Sequence, residues 1–339
     1  MSIDECSADV IVVGGGVSGV CAAIAASRSG SSVILIERQS FLGGNATGGL
    51  VGPFSTTYFA GTKVISGLVD EIIFRLAKYD ATLGTQKCPY PPGTTYGTGG
   101  WITTFDSEIL KCVFDEMISE AGIKVFFHSQ LSEVLVSENF HLKKIWVNSK
   151  GGRHCFVGKI FIDATGDGDL AASSGAAFEI GSTHGKIQPA TLIVDINNIN
   201  LSKIKEYIID QPHEFAWFTF PEYQDDPNRV CLAGSGFHSL ILRAKRNHEL
   251  IIGRNRITFF SGVQKDRLKL NATRLSGIDI NDIDGLSLAE INARAQVLSL
   301  IKFVRKYIPG CEDAEITAMG DYLGIRESRR IIGEYTLNY

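Results

Sequence analysis

The apolar run Val10-Ile11-Val12-Val13 breaks into Gly14-Gly15-Gly16 and resumes as a small-residue stretch from Val17 to Ala26; Val33-Ile34-Leu35-Ile36 then ends in Glu37. This pattern predicts a buried strand, a glycine turn, a helix and a second parallel strand, a unit few folds can accommodate. Gly14 suits the tight turn, Gly16 leaves the backbone open to a close approach, and Gly19 allows the helix to pack against the sheet. Val17 and Ser18 open the helix, whose free N–H groups and positive dipole end can hold a diphosphate without a lysine. Glu37 follows Gly19 by 18 residues, near the interval at which an acid meets ribose hydroxyls. The arrangement therefore points to a dinucleotide, and an acid at this position disfavours a 2′-phosphate.

A signal peptide or membrane span does not fit the same stretch. Asp4, Glu5 and Asp9 precede it where a signal carries positive charge, and three consecutive glycines interrupt it. The 339 residues carry a net charge of −4, so no electrostatic footprint for nucleic acid is present. Seven cysteines without regular spacing exclude a disulfide framework or a zinc or iron–sulfur motif, and a reducing cytoplasm is the expected compartment. No metal is expected.

Beyond Glu37 lies Arg38-Gln39-Ser40-Phe41-Leu42-Gly43-Gly44-Asn45, a glycine-rich loop where a nicotinamide enzyme would run directly into its next helix. Such a loop lets backbone follow an extended ligand, with Arg38, Gly43, Gly44 and Asn45 as contacts. Far along the chain, Lys159 to Asp163 runs into Ala164-Thr165-Gly166-Asp167-Gly168-Asp169 and a small-residue helix. That second strand, turn and helix places further N–H donors at the carboxyl edge of a parallel sheet.

With these residues in view the chain resembles the FAD-dependent oxidoreductases of the glutathione-reductase-like superfamily, near the fumarate-reductase and heterodisulfide-reductase flavoproteins. The resemblance rests on Gly14, Gly16, Gly19, Glu37, Gly43-Gly44, Asp163 to Asp169 and Gly324-Ile325-Arg326-Glu327-Ser328-Arg329-Arg330. It implies that Glu37 binds the adenosine ribose and Val134 lies beside adenine. It also implies that Gly43 and Gly44 line the FAD channel and that Ala164, Thr165, Gly166 and Asp167 abut the diphosphate region.

The expected fold is α/β: a Rossmann-like FAD-binding domain, with a central parallel sheet and a small β-hairpin or meander layer, interrupted by a mixed α+β substrate domain. The expected divisions are 1–56 and 105–180 for the cofactor domain, 57–104 for a helix and Pro/Gly-rich insertion, 181–314 for the substrate domain and 315–339 for the return. Helices are expected over Val64–Lys78, Ser107–Ala121, Leu201–Ile209 and Leu288–Tyr307, and a hairpin through Lys150-Gly151-Gly152. A long strand is expected from Gln188 to Ile196.

A flavin enzyme exchanges a hydride, so its protein must orient substrate, stabilise charge and often move a proton. Arg326 can clamp a carboxylate bidentately, with Glu327, Arg329 and Arg330 beside it; a surface helix with i, i+3 ion pairs is the structural alternative. Asn271-Ala272-Thr273-Arg274 resembles a polar patch facing the flavin, and Arg274 equally fits a solvated strand end. His184 is the candidate acid or base, although a lone histidine is more often structural. The functional expectation is hydride transfer between a small-molecule substrate and FAD, with an electron-transfer partner and no membrane or nucleic-acid partner. The family continues past the position of Tyr339 into a helix covering the flavin, so a nucleotide-binding protein without catalysis is the alternative, followed by an NAD-dependent dehydrogenase.

Overall fold

The computed structural model describes residues 5–55, 57–59, 62–88, 100–139, 141–182, 186–223, 226, 228–279 and 281–335. Of the Pro/Gly-rich insertion, expected as a loop over Cys88–Trp101, residues 89–99 lie outside the described residues, as does His184, while Cys88 ends one strand and Gly100-Trp101 begin another. The chain divides into two compact units: Met1–Gly48, Lys111–Gln188 and Glu327–Tyr339 make the first, and Gly49–Leu110 with Pro189–Arg326 the second.

The first unit is built on a six-stranded sheet in the order Lys124–Phe126, Val33–Ile36, Glu5–Val13, Gly152–Asp163, Leu142–Ser149, Gln130–Val136. The first four strands are parallel and the last two antiparallel. The twelve-residue strand Gly152–Asp163 is long enough to pair with Glu5–Val13 on one side and with the hairpin on the other. Ile11, Val13, Ile34, Ile36, Ile145 and Phe156 from these strands are buried together, as expected of a sheet covered by helices. The helix Val17–Arg28 carries the crossover between the first two parallel strands. Registers align Val13 with both Ile36 and Asp163, so Gly14, Glu37 and Ala164 leave the sheet side by side at its carboxyl edge.

The second unit holds a six-stranded antiparallel sheet, ordered Trp217–Thr219, Ala233–Gly236, Ile257–Ser261, Leu268–Asn271, Val194–Asn197, Glu315–Met319. Alternation gives it one apolar face. Val194, Ile196, Ile257, Phe259, Leu268 and Leu270 share a core with residues of the helices Leu201–Asp210, His238–Arg246 and Ile283–Tyr307. The opposite face carries Asp195, Ser235, Thr258, Phe260, Lys269 and Asn271. A smaller antiparallel sheet, Phe54–Ser55, Gly100–Phe105, Thr82–Cys88, belongs to the same unit. No helix among the described residues is long and apolar enough to cross a membrane.

Three elements differ from the sequence expectation. The helix expected from Leu288 already begins at Ile283, because Asp282 caps it by accepting from the Asp284 and Gly285 amides. The helix expected from Val64 begins at Leu68, because Gly67 takes a φ of +80° and breaks the turn before it. The expected strand Gln188–Ile196 is regular only over Val194–Asn197. Pro189 lacks an N–H, and Ala190 and Thr191 make single bridges to Leu275 and Gly324 in place of a ladder.

Candidate functional site

At the carboxyl edge of the parallel sheet, three glycines of one turn face three different surroundings. A Cβ on Gly14 would stand 2.2 Å from the Ala164 carbonyl oxygen, and one on Gly19 would stand 1.8 Å from that of Gly14. These two positions weld the turn to the neighbouring strand and to the helix. A Cβ on Gly16 would meet no atom within 4 Å. Gly16 is also the N-cap of Val17–Arg28, and no side chain caps that helix. Its carbonyl accepts from Val20 N–H at 2.9 Å, so the amides of Val17, Ser18 and Gly19 precede the first intrahelical bond. Open space therefore borders uncapped donors at a positive dipole end, a setting built for an anion.

Glu37 stands in the same turn. Its side chain is 7% exposed, and its carboxylate accepts from Gly15 N–H at 2.6 Å and Gln39 N–H at 2.7 Å. An ionised carboxylate has about four acceptor sites, so each oxygen keeps one for a hydroxyl donor. The glycine-rich loop is fastened to the turn as well: Gly43 N–H donates to the Gly15 carbonyl at 2.8 Å, and Gly43 bridges Gly16 in parallel. Gly44 lies so close that its Cβ would stand 3.0 Å from Gly16 Cα. Phe114, from the helix Ser107–Glu120, closes the space beside Gly43. Arg38, Asn45 and Ser18 are exposed, while Val17 and Val134 are half-buried.

The second motif is organised by its own acids. Asp163 accepts from Thr165 N–H and hydroxyl at 3.0 and 2.7 Å and from Ala171 N–H at 2.8 Å, tying the strand end to the helix Asp169–Ser173. Asp167 accepts from the Ser328 hydroxyl at 2.7 Å, and Asp169 from Arg329 at 2.7 Å. These carboxylates hold the turn in shape. Ala164 N–H donates to the Val13 carbonyl, and Gly166 is exposed with a φ of +84°.

The candidate catalytic residues fall in different settings. Arg329 is engaged by Asp169, and Arg330 by Glu327 and the Gly181 carbonyl, within a two-stranded ribbon of Phe178–Ile180 and Arg329–Ile331 in place of a surface helix. Glu327 also accepts from Gln188 N–H at 3.0 Å. Arg326 and Arg274 are exposed. In the second unit both bear on Arg254, whose pKa is lowered by burial and by the charges of Arg274, Arg256 and Arg326. Arg254 donates to the backbone and side-chain oxygens of Asn271 at 2.9 and 2.7 Å. Thr273 is buried and spends its hydroxyl on Leu192.

Sequence reasoning passed over Lys269 and Asp195, directly opposite each other on adjacent strands and 9% and 7% exposed. Burial lowers the Lys269 pKa against the pull of Asp195 and Asp106, and burial raises that of Asp195 against the nearby Arg267 and Lys269. The available signal was the polar member of the alternation Leu268-Lys269-Leu270-Asn271 on a strand whose two faces are both covered. Among the described residues no group of His, Cys, Asp and Glu gathers as a metal site would.

Known proteins place this geometry. The solved structure of a geranylgeranyl bacteriochlorophyll reductase-like protein from Thermoplasma acidophilum matches with a TM-score of 0.55 at 14% identity, over 95% of this chain and 66% of that one. L-Proline dehydrogenase from P. horikoshii matches at 0.51 and 13%, over 98% and 83%, and p-nitrophenol 4-monooxygenase from Pseudomonas putida DLL-E4 at 0.50 and 12%, over 97% and 70%. The chain thus spans about two thirds of the length of the first of these, and the likeness is one of fold. No curated protein matches the sequence. The family described as FAD dependent oxidoreductase matches residues 9–339. The uncapped helix, the open Gly16 and the buried Glu37 fit the diphosphate and ribose of that cofactor, and the chain belongs to the FAD-dependent oxidoreductase family.

Proposed function

We propose that this protein transfers a hydride between a small-molecule substrate and FAD. The carrying observation is the Gly16 turn: open space, uncapped helix amides and a buried carboxylate within one loop. When bound, FAD supplies two-electron chemistry that no side chain offers. Val17, Ser18 and Gly19 would donate N–H bonds to the diphosphate, Glu37 would accept from the ribose, and Val134 would flank the adenine. Gly43, Gly44 and Asn45 would follow the chain toward the ring, with Ala164 to Asp167 beside the diphosphate. Arg326 and Arg274 are proposed to orient an acidic substrate, since a guanidinium keeps its charge at any working pH. His184 is proposed as the proton carrier. The place beside the fumarate-reductase and heterodisulfide-reductase flavoproteins, and an electron-transfer partner, belong to the same proposal and rest on the sequence motifs.

The test is spectroscopic. Purified protein shows the absorption bands of bound flavin, and Gly16→Val loses them while keeping its far-ultraviolet circular dichroism, because the new side chain extends into the cradle from a Cβ with no protein atom within 4 Å. A colourless wild-type protein that takes up no added FAD would falsify the proposal.

A further inference from the structure

One cavity in the second unit has a chemical character that the cofactor site does not explain. Its volume is 160 Å³, and Lys269, Asn271, Trp217, Phe260 and Ile193 line it from one face of the antiparallel sheet. That face would ordinarily be solvated, yet Ser235 and Thr219 on it are each 3% exposed, and Lys269 is 9% exposed. On the same face, but outside the cavity lining, the hydroxyl of Thr219 and one carboxylate oxygen of Asp195 have no hydrogen-bond partner.

The donors are arranged for an oxygen. Lys269 Nζ gives one bond to the Ser107 hydroxyl at 2.8 Å and lies 5.4 Å from the centre of the Phe105 ring. An ammonium has three N–H bonds, so it retains capacity toward the cavity, where a Cβ added at Gly52 would stand 3.7 Å from Nζ. Asn271 is fixed the same way round by chemistry. Arg254 can only donate, so the Asn271 atom it contacts must be the carbonyl oxygen, and the amide N–H₂ remains for another acceptor. Residues 269 and 271 alternate onto one face of the strand, so both donors serve the same space.

Size and walls decide the rest of the ligand. A dry cavity of about 150 Å³ holds benzene, so 160 Å³ admits one ring-sized body. Trp217 and Phe260 offer aromatic surface, and Ile193 and Pro53 offer aliphatic surface. The nearby carboxylates of Asp195 and Asp106 offset part of the cationic field of Lys269 and Arg267, which suits a monoanion better than a phosphate dianion.

We infer that this cavity recognises a monocarboxylic acid with a ring-sized apolar body, its carboxylate held by Lys269 and Asn271 and its body packed against the wall that Trp217 and Phe260 form together. That this acid is the substrate rests on the proposed oxidoreductase reading; that the cavity binds it does not.

The test uses calorimetric titration of the full chain, purified in the presence of added FAD, with benzoate and with neutral benzamide. Wild type binds benzoate at one site and benzamide at least tenfold more weakly. Lys269→Met keeps the stem, removes the charge and weakens benzoate at least tenfold while moving benzamide less than threefold. Ser55→Phe, a change at an exposed position lining the cavity, weakens both and does not depend on refolding a buried site. No benzoate binding by wild type, equal affinity for benzoate and benzamide, or unchanged affinity in both variants overturns the inference. Flavin absorbance of the same samples separates the two claims. Benzoate binding that needs Lys269 in a protein devoid of flavin leaves the site standing and removes the oxidoreductase reading, whereas bound flavin without benzoate binding does the reverse.

Discussion

Gly14, Gly16 and Gly19 are identical in the sequence and unequal in what they tolerate. A methyl group on Gly19 would press into the Gly14 carbonyl, and one on Gly14 would press into Ala164 while also requiring a φ of +102°. Backbone atoms in a sheet edge cannot withdraw, so Gly19→Ala is expected to cost about 3 kcal/mol or more. Gly16→Ala meets only open space and should leave the thermal midpoint within a degree or two while weakening FAD. Comparing chemical denaturation with FAD titration for the two variants checks this division; equal loss of stability would show that the open space at Gly16 is not real. The buried thiols behave as packing, with Cys88 pushed up to about 12 by burial and by the neighbouring Cys231.

At the scale of elements, Asp106 begins the helix Ser107–Glu120. It accepts from Glu108 and Ile109 N–H at 2.9 and 3.2 Å, which makes it the N-cap. Burial pushes its pKa up, but the bonds from Gln264 and these two amides, with the charge of Arg267, hold it below the ordinary 3.8. A folded pKa below the unfolded one means that the stabilisation is complete above 3.8 and is lost as pH falls through the lower folded value. Asp106→Ala should therefore cost about 1 kcal/mol at neutral pH. The difference from wild type should shrink in acid denaturation below pH 3.8, and a gap that widens there would contradict the assignment.

The same scale shows what could be read in advance. The parallel strands were legible because Val10–Val13 and Val33–Ile36 are continuous apolar runs bounded by glycine and an acid, and the hairpin because Gly151-Gly152 separates two strand-forming segments. The strand Ala233–Gly236 was not. Ala-Gly-Ser-Gly has no strand propensity, and its place is set by distant rings: a Cβ on Gly236 would fall 2.0 Å from Phe215, and one on Gly234 would fall 2.7 Å from Phe259. Tertiary packing there overrides local preference. Within the candidate site, the glycines and Glu37 were readable from spacing. Lys269 was not, since the alternation Leu-Lys-Leu-Asn marks the polar face of a strand but does not tell that this face is buried.

For the molecule as a whole, a ligand that binds only the folded state stabilises it by mass action, by about 2.7 kcal/mol at a hundredfold excess over Kd. Added FAD should raise the melting temperature of protein stripped of flavin by a few degrees, in proportion to the logarithm of its concentration. Gly16→Val should melt at the same temperature with or without it. Benzoate should add a separate increment if the two units hold independent ligands, and a melting temperature insensitive to FAD would be incompatible with the proposed function.

The bond from Gly43 N–H to the Gly15 carbonyl couples two stretches of sequence to a fixed interval. Any residue inserted between Glu37 and Gly43 would push one stretch off the other, whereas the exposed bend at Lys150-Gly151 could lengthen without disturbing either. Divergence in length should accordingly accumulate at the hairpin tip, while the short span after the second strand keeps its count like a ruler.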